Sequence, residues 1–450
     1  MKINPSIFRS YDIRGIYPSE FDEKSAFAIG KAFVKHTKAK SVVVGQDARL
    51  SGPTLFDALA SGILSEGAKV YDIGQVPTEC LYFAVGGHDF PAGIMITASH
   101  NPKEYNGFKM IQKIGNNIEM VRGLELAEIV KEESSPIELI KDENLVAKED
   151  IWKDYLNYIL SFIDLSEISP LKIVVDASNG VAGHIFSKIQ DKLPIEIVPL
   201  NFEPNGNFPN HSPNPLIGGA PEQIASIVKR EKADFGIMFD GDADRIFLMD
   251  ENGKLVPADI TLILLAKYLL KKNPGSSMAY NLICSKAVPK FVEGEGGKAI
   301  RTQVGFVNVR DGLLKNNGVI GGEVSGHYCF RDYYFMDSGM IAFLTLLSIF
   351  SKDQRSVSEI VKEVSVYAKT DYNFEVKDKA FVSDQVKQKY GDAPQDFFDG
   401  ITVEYENWWF NLRPSNTEPF LRLTIEADTQ EILEEKLKEL KDFIIKISGK

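Results

Sequence analysis

Apolar positions along this chain alternate between helical spacing and short, nearly continuous runs. Ser25 to Lys35 sets Phe27, Ile29, Ala32 and Phe33 at helical spacing, and Ser41 to Gly45 follows as a short buried strand. Beyond the polar loop Gln46-Asp47-Ala48-Arg49, the pattern predicts a helix from Thr54 to Glu66 and a strand from Ala68 to Ile73. The same order returns at Lys172 to Asp176, where Asn179-Gly180 leads into a helix near His184 to Gln190 and a strand from Ile195 to Val198. It returns again with a strand at Met278 to Ile283, a loop at Cys284-Ser285-Lys286, a helix from Ala287 to Val292 and a strand from Ala299 to Gln303. Three βαβ-like units imply three similar α/β domains, not one large sheet. The likeness is architectural, for the units share few residues.

From Thr370 the pattern changes. Short strands are predicted at Ile401 to Tyr405, Trp408 to Asn411 and Leu421 to Ile425, ahead of one final helix. Leu433, Leu437, Leu440 and Ile444 give that helix a single apolar face, so this end reads as a smaller α+β domain. The charged stretch Lys131 to Asp150 reads as a connector into the second unit, and the turn Glu251-Asn252-Gly253-Lys254 as the break before the third. A chain of 450 residues has room for three domains of ordinary size, or four small ones.

Composition works mainly by exclusion. At 44% apolar and 25% charged residues the chain is ordinary for a soluble protein. No apolar run approaches the roughly 20 residues of a membrane span, and the N-terminus lacks a signal peptide's apolar segment. Cys80, Cys284 and Cys329 are far apart, which predicts neither disulfides nor a zinc site and suits a reducing cytoplasm. The net charge of −12 argues against nucleic acid as a partner. It also means that an anionic substrate needs basic residues gathered locally against the global field.

Candidate chemistry sits at strand exits. Ile94, Met95 and Ile96 read as a strand, and Thr97-Ala98-Ser99-His100-Asn101-Pro102 follows, with Asn-Pro fixing a turn. Serine alone is a poor nucleophile and needs helpers from elsewhere; taken alone, Ser99 could equally cap a turn. Asp240-Gly241-Asp242-Ala243-Asp244-Arg245 follows the apolar strand Phe235 to Phe239. Three carboxylates at alternating positions converge only if a cation relieves their repulsion, and oxygen ligands favour Mg²⁺. A calcium loop is rejected, because Arg245 stands where that loop needs glycine and strands flank it. An aspartyl-phosphate phosphatase remains a rival, although it would leave Ser99 without a purpose.

Four further stretches belong to the same argument. Gly322-Glu323-Val324-Ser325-Gly326-His327 offers an acid, a hydroxyl and an imidazole suited to sugar hydroxyls, with a structural turn as the alternative. Asn411 to Pro419 reads as a loop between strands in which Arg413, Ser415, Asn416 and Thr417 match phosphate geometry. Phe8 to Gly15 packs Arg9, Tyr11, Asp12 and Arg14 together, with surface arginines paired to Asp12 as the alternative. Lys109, in Asn106-Gly107-Phe108-Lys109, could shuttle a proton or hold a phosphate. Gly294 to Ala299 is not a phosphate loop, since Val292 and Ala299 occupy its signature positions. Trp408-Trp409 predicts core plus one partly exposed ring, and His36, His88, His184 and His211 read as structural or surface residues.

Taken together, from Arg9 to Pro419 and in this order, the motifs resemble the α-D-phosphohexomutase superfamily, most closely its phosphomannomutase/phosphoglucomutase branch. The resemblance covers essentially the whole chain. It implies three related α/β domains plus a smaller C-terminal α+β domain around a central cleft, with boundaries at 1–148, 149–251, 252–368 and 369–450. It implies that Ser99 is a phosphoserine and that Asp240, Asp242 and Asp244 hold Mg²⁺ with a phosphate oxygen of Ser99. Arg14 and Arg245 would stabilise the transferring phosphoryl, and His100, Lys109 and His327 are candidates for proton transfer. Glu323 and Ser325 would bind sugar hydroxyls, while Arg413, Ser415, Asn416 and Thr417 grip the non-reacting phosphate, and Tyr11 would bind substrate beside the cleft in the same motif as Arg14. The implied reaction interconverts hexose 1- and 6-phosphates of mannose and/or glucose through a hexose 1,6-bisphosphate, with small sugar phosphates as partners and a cytoplasmic monomer or homodimer as the form.

Three positions depart from that pattern: Ala243 replaces a common glycine, Phe306 stands where a histidine is expected, and Arg310 replaces a lysine. The last two bear on sugar choice, and Lys286 sits near a substrate-facing loop. Phosphoglucosamine mutase is the nearest rival, with Val324 against it. A metal-dependent phosphatase and a silent sugar-phosphate binding protein are rivals of other classes.

Overall fold

The computed structural model describes residues 3–131, 145–415 and 420–448; most of the expected connector, 132–144, and the phosphate-loop residues Asn416 and Thr417 lie outside the described residues. The chain forms two compact units. The first comprises Met1–Pro257 and Ser325–Ser358, the second Ala258–Val324 and Glu359–Lys450.

The first unit holds two sheets. The N-terminal sheet runs Ile13–Ile16, Tyr105–Ile114, Ala92–Ile96, Ser41–Gln46, Lys69–Gln75, Val146–Lys148 in order across its face. Its middle strands are parallel, as the βαβ pattern requires, whereas Tyr105–Ile114 returns antiparallel beside Ala92–Ile96. That return brings Lys109 opposite Met95, on the strand whose exit carries Ser99. Helices Glu23–Thr37 and Gly52–Ser65 pack closely on one another. A Cβ on Gly62 would lie 2.1 Å from the carbonyl oxygen of Phe27, so glycine is required there.

The second sheet has four strands: Ile246–Asp250, Phe235–Phe239, Lys172–Asp176 and Glu196–Leu200. Phe235–Phe239 and Ile246–Asp250 are buried along their whole length, which explains their unbroken apolar runs. They pair antiparallel, Phe239 opposite Ile246, so the six residues between them make a tight acidic turn at one sheet end. Helix Gly339–Lys352 packs on this sheet, its Phe350 ring 5.1 Å from that of Phe235, and on helix Ala182–Ile189, its Phe343 ring 5.2 Å from that of Phe186. This packing carries 325–358 back to the first unit.

In the second unit, strands Lys298–Thr302, Ser277–Asn281 and Ile320–Gly322 are parallel, with helices Ala258–Lys272, Ala287–Gly294 and Phe306–Lys315. The C-terminal sheet is antiparallel throughout: Ala368–Glu375, Phe420–Ala427, Trp408–Pro414, Ile401–Glu404 and Gln395–Asp396. One face carries Val403, Trp408, Phe410, Leu412, Leu423 and Ile425 into a core with Leu433, Leu440 and Ile444 of helix Gln430–Ile447. Two expectations are corrected here. The strand beginning at Trp408 continues through Arg413 to Pro414, because Asn411, Leu412 and Arg413 pair with Thr424, Leu423 and Arg422; only Ser415 of the described phosphate residues lies beyond it. Neither tryptophan is partly exposed. Trp409 points away from the core face and is still only 3% exposed, its ring N–H donating to Glu426 at 2.8 Å.

No helix among the described residues is long and apolar enough to cross a membrane.

Candidate active site

Ser99 leaves the strand Ala92–Ile96 with a left-handed backbone, φ 50°, which costs a non-glycine residue about 1–3 kcal/mol unless its surroundings enforce it. Its N–H donates to Thr97 Oγ1 at 2.8 Å, and Thr97 Oγ1 donates to Asp47 at 2.7 Å. The serine hydroxyl then points across to the second sheet and donates to Asp240 Oδ2 at 2.9 Å, with His100 Nδ1 3.3 Å from Oγ. Residues 141 positions apart thus meet at one bond.

Asp240, Asp242 and Asp244 converge as the alternating pattern predicts, with one oxygen from each within 4.8 Å of the others and all three side chains buried. Lys109 is what reconciles them here. Its Nζ lies 2.7 Å from Asp242 and is hydrogen-bonded to Asp244 as well. Thr78 Oγ1 donates to Asp242 at 2.6 Å, and Arg245 Nε stands 3.5 Å from Asp240 and 3.9 Å from Asp244. Burial pushes Asp242 upward, but the Lys109 ammonium outweighs it and holds the carboxyl well below the usual range. Burial and the charges of Asp244 and Asp242 push Asp240 well above its ordinary value. Asp242 Oδ1 and Asp244 Oδ1 are buried without hydrogen-bond partners. Orphaned carboxylate oxygens beside a convergent acidic trio fit a hard divalent cation.

Arg14 donates to Asn101 Oδ1 at 2.7 Å and pairs with Asp12 at 2.5 Å, so it reaches the serine turn instead of lying on the surface. Tyr11 is half-buried in the bend just before it. His327 Nδ1 lies 2.6 Å from Asp337 and 3.8 Å from Asp244 Oδ1, and its backbone bridges that of Arg245. The Arg245 guanidinium, with burial and Arg14 adding to it, holds His100 well below its usual value, leaving a neutral imidazole at the nucleophile. Ser325 opens the segment leading to His327.

In the second unit Glu323 is buried and accepts from Gly305 N at 3.2 Å and Asn281 Nδ2 at 3.3 Å. Phe306 begins the next helix, and Arg310 is buried within it, 3.5 Å from Asp311. Lys286 Nζ pairs with Glu404 at 3.3 Å. Arg413 sits directly across the ladder from Arg422, and Ser415 is buried, its carbonyl accepting from Lys379 at 3.0 Å. Two guanidinium groups facing each other repel, and an anion between them would relieve it.

Sequence reasoning missed Arg422, Thr78, Asp337 and Arg49. Only Arg422 left a readable signal: it lies an odd step from the core-facing Leu421 and Leu423, which puts it on the face shared with Arg413.

A buried carboxyl behind the site adds a pH dependence. Glu79 is fully buried, hydrogen-bonded to Ser338 Oγ, and burial pushes its pKa up to about 8. A folded-state pKa raised from 4.5 means stability is full below about pH 4.5 and falls as pH rises through about 8. Glu79→Gln is expected to flatten the fall in thermal midpoint between pH 6 and pH 9, roughly; an unchanged slope in calorimetric scans would refute the assignment.

The sequence matches four family descriptions in succession: phosphoglucomutase/phosphomannomutase alpha/beta/alpha domain I over 5–136, domain II over 153–253, domain III over 257–367 and the C-terminal domain over 372–443. A phosphomannomutase of Methanocaldococcus jannaschii is 36% identical over 451 residues, covering 98% of each chain. A phosphomannomutase/phosphoglucomutase of Pseudomonas aeruginosa is 35% identical over 449 residues, covering 95% of this chain and 93% of its own. Among solved structures, a phosphoglucomutase/phosphomannomutase family protein from Burkholderia thailandensis superposes with a TM-score of 0.84 at 30% identity, covering 100% of this chain and 98% of that one. Fold and site together define a hexose-phosphate mutase of α/β architecture. The chain belongs to the phosphoglucomutase/phosphomannomutase family, within the α-D-phosphohexomutase superfamily.

Proposed function

We propose that this enzyme interconverts the 1- and 6-phosphates of mannose and/or glucose, using Ser99 as a phosphoryl carrier and a hexose 1,6-bisphosphate as intermediate and activator. The observation that carries the reading is the Ser99 hydroxyl 2.9 Å from Asp240, inside a group of buried carboxylates and cations. Phosphoryl transfer needs alignment and charge neutralisation more than covalent chemistry.

Transfer from phospho-Ser99 to a sugar hydroxyl breaks the phosphorus–Oγ bond and forms one to the sugar oxygen, whose proton must go to a base. His100, held neutral, can accept it, with His327 as the other candidate, while Lys109, an ammonium held charged by Asp242 and Asp244, can only give a proton, as the departing Ser99 oxygen requires. Arg14 and Arg245 offset the charge on the moving phosphoryl. Glu323 and Ser325 engage sugar hydroxyls, Arg413, Ser415, Asn416 and Thr417 hold the phosphate that does not react, and Tyr11, in the same motif as Arg14, binds substrate. The bisphosphate then reorients and returns its other phosphoryl to Ser99. Asp240, Asp242 and Asp244, with Ser99, are the residues that would hold Mg²⁺, which when bound supplies Lewis-acid polarisation of the phosphoryl group.

The proposal includes a division at 1–148, 149–251, 252–368 and 369–450, a cytoplasmic location and a monomer or homodimer. Three free, buried cysteines support the reducing compartment. A coupled assay of mannose, glucose, glucosamine and N-acetylglucosamine 1-phosphates, with bisphosphate activator and Mg²⁺, tests the reading. The expected result is activator-dependent 6-phosphate formation from mannose or glucose 1-phosphate. Inorganic phosphate released in step with substrate loss would replace the mutase by a phosphatase.

A further inference from the structure

The loop Asp47-Ala48-Arg49 has no part in the reaction as described, yet Arg49 is among the most completely buried large side chains, at 1% exposure. All five of its side-chain N–H donors are used. Nε donates to Asp47 at 3.1 Å; Nη1 donates to the carbonyls of Pro102 at 2.7 Å and Tyr105 at 2.8 Å. Nη2 donates to the carbonyls of Ser99 at 2.8 Å and Asn101 at 2.6 Å. One guanidinium therefore collects four backbone carbonyls from the turn that presents Ser99. Asp47 also receives Thr97 Oγ1, which accepts the Ser99 N–H, so the nucleophile's own N–H and C=O both lead back to this ion pair.

We propose that Arg49 is a positioning residue for phosphoryl transfer, holding the left-handed Ser99 turn so that its carbonyl oxygens face away from the phosphate that Ser99 carries. The proposal rests on the reading of Ser99 as the phosphoryl carrier. Released from the guanidinium, the carbonyl of Ser99 or Asn101 could turn toward the phosphate and present negative charge to a dianion. A serine backbone at φ 50° would also relax toward a commoner conformation and swing Oγ away from Asp240. The clamp is sealed from water by the neighbouring segment. The Phe208 ring lies 5.4 Å from the guanidinium, and a Cβ on Gly206 would meet the Ala48 carbonyl oxygen at 2.5 Å. Lysine cannot substitute, because a single ammonium lacks the planar fork that reaches five acceptors.

The test uses the full chain and two readouts: phosphorylation of Ser99 by a hexose 1,6-bisphosphate in single turnover, followed by intact mass, and steady-state mutase kinetics. In Arg49→Lys the transfer rate and kcat are expected to fall by about 30- to 100-fold with KM changed less than about threefold, as for a misplaced nucleophile beside an intact substrate grip. A folded Arg49→Lys variant with transfer within about twofold of wild type overturns the inference, as does a loss carried by KM. Should Arg49→Lys not fold, Thr97→Val decides, since it cuts the link from the Ser99 N–H to Asp47 and leaves the guanidinium in place. A fall in kcat alone of about 3- to 10-fold supports the clamp, and unchanged kcat overturns it. A wild-type protein that takes no phosphoryl at Ser99 fails the carrier reading itself, an outcome distinct from equal labelling of wild type and Arg49→Lys.

Discussion

Ser99→Ala is expected to lower mutase kcat by roughly four orders of magnitude or more, the scale on which removal of a covalent nucleophile acts. The effect should be confined to chemistry. The substituted side chain gives up two hydrogen bonds, with Asp240 and with His100 Nδ1, and the cations that hold the loop and the acidic trio remain. Substrate affinity measured by calorimetry should therefore stay near the wild-type value, while intact mass after incubation with bisphosphate shows no added phosphoryl. Full turnover in Ser99→Ala would remove the carrier from the mechanism and leave direct transfer or hydrolysis in its place.

The second large effect concerns stability. In the metal-free protein Lys109→Met is expected to cost about 3–5 kcal/mol, because it strands buried carboxylates that one ammonium now serves. Urea unfolding in the presence of a chelator measures this loss. The loss should shrink as pH falls: without the ammonium, the folded-state pKa of Asp242 rises, so protonation restores stability at low pH that is lost as pH increases. Added Mg²⁺ should narrow the gap, since a divalent ion binding the folded state stabilises it by mass action. Equal midpoints for wild type and Lys109→Met in chelator would mean that the lysine is not the counter-charge it resembles.

What the sequence could and could not disclose follows from how each contact is built. The acidic trio was legible because alternation within six residues, at the end of an unbroken apolar strand, carries its geometry in the chain itself. The Ser99 turn was legible for the same reason. The contacts of Lys109 with Asp242 and of Thr78 with the same carboxylate join positions 133 and 164 residues apart, and no local pattern encodes such a meeting. Arg49 looked like part of a polar loop, since a side chain bound for four backbone carbonyls is indistinguishable in sequence from one bound for water. Arg413 was assigned to a loop because prolines flank the stretch, but Pro414 closes the strand from its last rung. The pair Trp408-Trp409 reads as core plus one partly exposed ring, yet both are buried; the register puts Trp409 opposite the core. That face of the sheet is covered too, with Glu426 there to receive its N–H.

The left-handed backbone at Ser99 also decides which hydroxyl amino acid can serve there. Threonine carries the same alcohol and is as competent in principle to bear a phosphoryl group. Its branched Cβ is poorly tolerated at positive φ, however, whereas an unbranched side chain can be held there by its neighbours. The choice between the two alcohols at this position is thus made by the main chain before any chemistry begins. Asparagine, which visits this conformation readily, would fit the turn with less strain than serine does and yet has no hydroxyl to take a phosphoryl group.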